Sequence, residues 1–563
     1  MAQQNAAGRA AGQSVLRGAG IMMAATVASR VLGWVRDRGI GHYFGHTRHT
    51  DAYWSAFNVP DILYYLLAGG ALSAAFIPVF TGYLVAGQEE EGWRVVNTLA
   101  TLLVLLVSVG VALIVIFAPW LVLLAAPGLR QHPATWAECA FYTRIMASMV
   151  LFTVLSALST GVLQAFRHFT APAVAWLAYN VGILVGLFVL SRSLGIAGVC
   201  IGVLIGAASM VAVQVPALVK RGYRFRPALE LEHEGVRLVI RLFLPVMAGL
   251  ALTQIGLLWL PVFFGSYFPE GVLTSLRYAN RLIVLPLGLF AIAISTAAFP
   301  ALAAQVSEGK TEQFKRTLAD GLRAVMALAI PSAVALGVLA EPVVRVVWQS
   351  GQFGDQAIAQ ASYALVFLAA GLVGLSVMQI VNRGFYSLKD TVTPPLVGIG
   401  YVALNILMVV AALDMHLAVG FGAIALAGSL SASIGCVVLV WLLARKLGGV
   451  HGAQLLASLG RVVLASAALG VVAWLVGSVL GQRLGVPMTH FALVEPQGHW
   501  MPGPSQVSRL HVLMQALGAM GAGGAAYLAV LWALRASELE AVVGAVRSRV
   551  GRRPQPRPAT GGM

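Results

Sequence analysis

Arginine holds a phosphate by paired hydrogen bonds, and this chain buries several arginines in apolar sequence. Arg30, Arg36 and Arg38 fall with Asp37 inside one apolar stretch, and Arg277 and Arg281 fall inside another. An arginine at the centre of a membrane-spanning helix costs about 2.5–3.5 kcal/mol on insertion scales, so each needs a partner, a water-filled cavity or a function. Arg30 and Arg36 lie roughly 600° of helical rotation apart, on adjoining flanks about 120° from one another, and can line one broad cavity. Asp37 can neutralise Arg36. Arg277 and Arg281, at i and i+4, share a helical face with Tyr278 and Asn280 beside them, and two cations there repel unless an anion sits between them. The chemistry indicated is the holding of a diphosphate-sized anion. The competing reading is that these spans end early and the arginines snorkel to the interface. Arg144, Arg345 and Arg383 read as structurally paired or interfacial.

Other chemistries are poorly served. Gly309-Lys310-Thr311 resembles the end of a phosphate loop, but the earlier glycine would fall at Ala304 and no strand precedes it, which leaves a turn. His42 and His46 lack the intervening Glu of a metalloprotease helix, so no metal site is expected. Asp390 and Asp414 have no carboxylate partner for hydrolysis. Cys139, Cys200 and Cys436 are odd in number and without Cys-x-x-Cys spacing, so neither a disulfide framework nor a zinc site is indicated.

The elements that must carry the arginines follow from composition. Of 563 residues 59% are hydrophobic and 10% charged, too few charges to cover a water-facing surface, where roughly 25% is usual. Runs such as Thr101 to Trp120 show no period-two alternation, which points to an all-α polytopic membrane protein rather than a β-barrel. Apolar runs of about 20 residues predict about 14 transmembrane helices, near 18–44, 52–84, 95–126, 138–165, 170–191, 195–219, 238–268, 271–305, 317–348, 357–387, 393–413, 416–444, 455–481 and 508–535. Met1 to Ala19 has no apolar core of signal-peptide type, so a cytoplasmic N-terminus is expected. Lys and Arg then gather on that side, in Lys220 to Arg241, Lys310 to Arg316, Arg445 to Arg461 and the tail, which places both termini in the cytoplasm. This accounts for the net charge of +16 without nucleic acid, although anionic lipid headgroups would be drawn to the same loops.

An internal repeat sets the architecture. Ala75-Phe76-Ile77-Pro78 overlies Ala298-Phe299-Pro300 at an offset of 222, and the same offset places Asn58 on Asn280, Ser73 on Ser295, Gly87 on Gly309, Arg94 on Arg316, Arg167 on Lys389 and Pro172 on Pro394. A duplicated unit of six spans enters twice from the same side, giving two parallel six-helix repeats as facing lobes, plus two extra C-terminal helices. The expected domains are a tail 1–14, an N-lobe 15–219, a basic cytoplasmic linker 220–237, a C-lobe 238–445, a final helix pair 446–535 and a basic tail 536–563. Gly198, Gly202 and Gly206 form a ladder that allows close helix packing.

At Ser29-Arg30-Val31-Leu32-Gly33-Trp34-Val35-Arg36-Asp37, Thr50-Asp51-Ala52, Ala71-Leu72-Ser73-Ala74-Ala75-Phe76-Ile77-Pro78, Tyr278-Ala279-Asn280-Arg281-Leu282 and Gly384-Phe385-Tyr386-Ser387, the chain resembles the MurJ (MviN) family of lipid II flippases within the MOP exporter superfamily. The resemblance runs from about residue 15 to about 450. It implies a bacterial inner-membrane protein that moves undecaprenyl-diphosphate-linked disaccharide pentapeptide from the inner to the outer leaflet. The family's first-helix arginines fall on Arg30 and Arg36, its acid on Asp37, its loop acid on Asp51 and its eighth-helix arginine on Arg281. Ser29, Asn58, Asp61, Tyr64 and Asn280 take supporting or gating places, and the last two helices extend a groove for the lipid tail. Gram-negative members carry an Arg pair and a Glu in the second span where this chain reads Pro60-Asp61-Ile62-Leu63-Tyr64-Tyr65, and Val284 stands where an acid follows the eighth-helix arginine. Arg277, or the Tyr64 and Tyr65 hydroxyls, are the candidate replacements.

The expected mechanism is alternating access without bond making, with Asp37 and Asp51 pairing with the arginines when the cavity is empty. No cofactor is expected. A membrane potential, at about 2.3 kcal/mol per charge per 100 mV, or a coupled monovalent cation would supply energy. Asn405 and Gln254 are weak candidates for a cation site. Expected partners are lipid II, membrane lipids and cell-wall synthesis machinery, with the protein itself a monomer. The rival readings are a polysaccharide-lipid flippase or another exporter of the superfamily, a glycosyltransferase, and a scaffold without transport.

Overall fold

Long apolar runs with few helix breakers can only satisfy their backbone in lipid as helices, and helices are what form. The computed structural model describes residues 25, 27–68, 71–254, 259–415, 419–450, 452–486 and 508–536. Among these, eleven helices are long and apolar enough to cross a membrane. They are α5 (Glu89–Ala125), the joined α6 (Pro133–Ala147) and α7 (Met149–Ala165), α8 (Thr170–Val185) with its extension to Leu194, and α10 (Ile196–Val219). The joined α13 (Val272–Pro286) and α14 (Ala293–Ser307), α15 (Thr311–Val338), α17 (Asp355–Ser387), α18 (Thr393–Asp414), α19 (Gly422–Leu447), α20 (Gly452–Leu484) and α21 (Arg509–Ala533) complete the set, with the short α9 (Ser191–Leu194), α12 (Leu260–Gly265) and α16 (Ala340–Trp348) between them.

The count of fourteen rests on the first, second and seventh expected spans. The first, α1 (27–44), carries Arg30, Arg36, Asp37 and Arg38. The second is a correction to the sequence reading: 52–84 is not one helix but α2 (Arg48–Ala56), α3 (Asn58–Leu67) and α4 (Ala71–Val85). The chain turns at Phe57, and Pro60, which lacks an N–H, sits in the first turn of α3, where it costs nothing. The seventh, α11 (Glu234–Gln254), opens with Glu234, Arg237 and Arg241, and Gln254 carries no described side chain.

The duplication is written into the backbone. Shifted by 222, the bounds of α4 become those of α14, and the start of α6 and end of α7 become the two ends of α17. Helix ends repeat as well. Gly87 and Gly309 both have φ of 71°, and Arg167 and Lys389 have φ of 56° and 60°, left-handed values that non-glycine residues seldom adopt. The closing bonds match residue for residue: Gln88 N donates to Tyr83 O and Lys310 N to Gln305 O, while His168 N donates to Leu163 O and Asp390 N to Phe385 O. These are the six-to-one bonds of a Schellman helix end.

The described chain forms two compact units, one running through Leu276 and taking in Trp348–Ile358, the other holding Arg277–Val347 and the residues from Ala359 on. In the first, the buried rings of Phe76 and Phe80 stack 5.2 Å apart, and Phe80 meets the half-buried Trp93 at 5.5 Å. The expected glycine ladder is a helix seam. A Cβ on Gly202 would lie 2.7 Å from Gly186 Cα, and one on Gly206 would lie 2.4 Å from Tyr179 O, so α8 and α10 touch backbone to backbone. The returning segment is pinned by Gln352 N, which donates to His42 O at 2.9 Å; Gly351, at φ 54°, has room for no side chain because a Cβ would meet that same carbonyl. In the second unit Phe314, Leu318, Ile380, Phe385 and Leu439 make the core. There α15 packs against α20 and α21, and Tyr527 Oη donates to Ala327 O at 2.6 Å. Apolar side chains stay exposed along the spans, Trp120 at 74% and Val437 at 68%, as they must where the solvent is lipid.

Candidate anion-binding site

In the first unit the cluster is built on α1 and α8. The Gly182–Gly206 and Gly186–Gly202 contacts fix α8 against α10, and this holds Asn180, two residues before Gly182, beside α1. Arg36 Nη2 lies 2.7 Å from Asp37 Oδ1 and its Nε donates to the same oxygen at 2.8 Å, while Nη1 donates to Asn180 Oδ1 at 3.3 Å. Asn180 Nδ2 donates in turn to Ser29 Oγ at 3.0 Å and Trp176 O at 3.1 Å. Asp37 is buried and Arg36 nearly so. A cation and an acid in apolar surroundings are thus compensated where they stand, and the amide links them to Ser29 about two turns away. Arg30 is exposed, on the neighbouring flank of α1. The arrangement offers one exposed guanidinium above a neutralised arginine–carboxylate pair, which an incoming anion can re-partner.

Asp51 has a different place. Its buried carboxylate accepts Gly271 N at 2.6 Å through Oδ2, and Thr274 N at 2.8 Å and Thr274 Oγ1 at 2.6 Å through Oδ1. A residue of α2 therefore caps the N-terminus of α13, the helix that carries Arg277 and Arg281, and satisfies donors that a helix start leaves open. Asn58 is buried at the start of α3, with its Nδ2, like Tyr53 Oη and Ser55 Oγ on α2, lacking a hydrogen-bond partner among the described residues. Asp61 and Tyr64 are half-buried on α3, and Tyr64 meets the Tyr65 ring edge-on at 5.3 Å.

In the second unit Arg277 and Arg281 are half-buried one turn apart on α13, with Asn280 exposed between them. The helix then widens into a π-turn at Leu287–Ile292, straight after Pro286, whose missing N–H loosens the ladder. The remaining arginines singled out from sequence have structural partners. Arg144 Nε donates to Val115 O at 3.0 Å, Arg345 Nε pairs with Glu341 Oε1 at 2.9 Å, and the Arg383 guanidinium lies 5.2 Å from the centre of the Phe299 ring.

Sequence reasoning grouped Ser29, Arg36 and Asp37 and missed Asn180, the residue that ties them together. Its signal was an isolated amide in the middle of the apolar run 170–191. Outside the spans, Asp390 caps α18 through Thr393 N at 2.9 Å and receives Lys446 Nζ at 2.7 Å. The Lys446 ammonium, ahead of the backbone donors, holds its carboxyl well below the usual range. Burial, helped by the nearby Arg221, pushes His168 below its usual value. Among the described residues no group of His, Cys, Asp or Glu has metal-binding geometry.

Residues 40–495 match the protein family described as lipid II flippase MurJ. A probable lipid II flippase MurJ of Vibrio cholerae is 32% identical over 401 residues, 69% of this chain and 75% of that protein. One of Bdellovibrio bacteriovorus is 29% identical over 463 residues, 81% of this chain and 87% of that protein. Among solved structures, one described as lipid II flippase MurJ in an inward closed conformation superposes with a TM-score of 0.72 at 23% identity, covering 90% of this chain and 97% of that one. An inward-facing multidrug resistance MATE family transporter of the MOP superfamily superposes with a TM-score of 0.61 at 14% identity, covering 74% and 94%. Both share the fold.

Proposed function

The chain belongs to the lipid II flippase MurJ family, and from that premise we propose that it carries the undecaprenyl-diphosphate-linked disaccharide pentapeptide from the inner to the outer leaflet of the bacterial inner membrane. The observation that carries the reading is the arginine–carboxylate–amide cluster of Arg36, Asp37 and Asn180 with Arg30 exposed beside it, set in a chain otherwise poor in charge. A diphosphate bears charge that Arg30 can meet first. Arg36 then exchanges Asp37 for the anion, and Asp37 takes Arg36 back when the headgroup leaves. Arg277 and Arg281 serve as the cations of the second unit, and α20 and α21 flank the polyprenyl tail. Transport proceeds by alternating access, with both termini cytoplasmic, no bond made or broken, and the membrane potential or a coupled monovalent cation as the source of energy. The protein works as a monomer alongside the cell-wall synthesis machinery.

The test is depletion in the native host, followed by measurement of lipid II exposed at the outer leaflet. Retention of lipid II inside and lysis, reversed by wild type but not by Arg30→Ala, are expected. An unchanged lipid II distribution with loss of a surface polysaccharide would move the substrate to the polysaccharide-lipid class and overturn the assignment.

A further inference from the structure

The segment joining α10 to α11 is not a slack tether. It rises along the start of α5 and returns. Asn97 grips it from both sides, Nδ2 donating to Arg224 O at 3.3 Å and Oδ1 accepting Arg226 N at 3.2 Å. One turn further on, Thr101 Oγ1 accepts Ala228 N at 3.2 Å. The strap then descends, with Glu230 on Arg94 at 2.5 Å and His233 Nε2 on Glu91 at 2.8 Å. Its crest therefore stands at Thr101, where the apolar run of α5 begins. Leu105, on the same face one turn or about 6 Å beyond, is already exposed as a lipid-facing residue.

What the strap shows outward is unusual for a connecting loop. Phe225 is 53% exposed, Leu229 54% and Leu231 47%, while Arg224 and Arg226, flanking Phe225, are exposed as well. Glu230 is taken by Arg94, and the exposed Glu232 lies beyond Leu231 on the descending limb, 3.8 Å from Arg237, so the crest 224–229 keeps the positive charge of Arg224 and Arg226. Apolar side chains beside guanidinium groups, continuous with a lipid-facing helix surface and level with the start of its apolar run, match the chemistry of a bilayer interface. We propose that the strap 223–231 is an interfacial anchor that binds anionic phospholipid, Phe225, Leu229 and Leu231 entering the acyl boundary and Arg224 and Arg226 taking phosphodiester headgroups. It does so independently of the diphosphate substrate and of the arginines on α1 and α13.

The test uses the full chain with Leu229→Cys labelled by an environment-sensitive dye in a Cys436→Ala background, Cys139 and Cys200 being buried. In vesicles that are one quarter phosphatidylglycerol and otherwise phosphatidylcholine, the dye shifts to the blue, escapes aqueous iodide and is quenched by a nitroxide on the upper acyl chain. Each arginine at an anionic surface contributes roughly fivefold to binding, so Arg224→Gln with Arg226→Gln weakens the apparent affinity for phosphatidylglycerol by about 25-fold. Leu231→Cys serves as the reporter if Leu229→Cys folds poorly. Equal iodide quenching with and without phosphatidylglycerol, the same shift from inorganic phosphate, or indifference to the double substitution would each overturn the proposal.

Discussion

Replacing Asp51 separates a structural cap from a transport gate. Its three hydrogen bonds divide unequally: Oδ1 takes both from Thr274 and Oδ2 takes the one from Gly271. In Asp51→Asn the amide oxygen can keep the Thr274 pair, but the amide nitrogen then faces the Gly271 N–H, donor against donor. Asp51→Ala loses all three and leaves buried donors behind. Hydrogen bonds to charged groups contribute about 1.5–3 kcal/mol each, lost N-caps cost about 0.5–2 kcal/mol, and such losses do not add fully. A cost of about 2 kcal/mol for Asn and about 3 kcal/mol or more for Ala is expected. With the unfolding entropy of globular proteins applied to a unit of this size, 3 kcal/mol corresponds to about 5 °C. In a Cys436→Ala background the purified protein supplies its own reporters, since Cys139 and Cys200 are buried in the same unit and react with a thiol dye only on unfolding. The expected order of melting temperatures is wild type, then Asn, then Ala. Wild-type melting in both variants, with transport lost, would refute the cap and make Asp51 a gate.

Three further outcomes follow from the same geometry. Arg36→Ala takes from buried Asp37 the guanidinium that lies 2.7 Å away and lowers folded yield; adding Asp37→Asn restores yield but not lipid II export, and recovery of export by the double variant would remove Arg36 from the substrate's path. Gly202→Val places a side chain against the Gly186 backbone and should abolish the monodisperse peak in size-exclusion chromatography, whereas normal yield would show that α8 and α10 can part without cost. Because Asp390 is held below its ordinary 3.8, its contribution with Lys446 is present above that value and fades as pH falls beneath it. The melting temperature of wild type should therefore exceed that of Lys446→Met by a constant amount from pH 8 to pH 5, and the gap should close below about pH 4; a gap that closes near pH 6 would contradict this.

The sequence exposed the duplication unusually well, because no insertion breaks the offset from α4 to the start of α18, and even the left-handed helix ends at Arg167 and Lys389 keep their spacing. The break of the second span at Phe57 was marked only by Asn58, Pro60 and Asp61 just after it, polar and turn-forming residues inside an otherwise apolar run, and a proline in a first turn does not by itself say that a helix has stopped and restarted. The arginines were legible as charges in apolar sequence. Their partners were not: Asn180 lies 144 residues from Arg36 and Thr274 lies 223 from Asp51, separations at which no local pattern reports a contact. Chemistry at a site is read from residue type, while its compensation is read only from the fold.

The return of Trp348–Ile358 to the first unit sets a clock on biosynthesis. When the ribosome has finished Leu276, the carbonyl of His42 still waits for the amide of Gln352. At bacterial elongation rates of about 5–20 residues per second, the chain up to Ile358 takes roughly 4–16 s more to make. For that interval the nascent first unit is incomplete and must be held by the insertion machinery or by lipid. A chain divided for co-expression should accordingly be cut beyond Ile358, since a fragment ending at the apparent repeat boundary would be released without the piece that closes it.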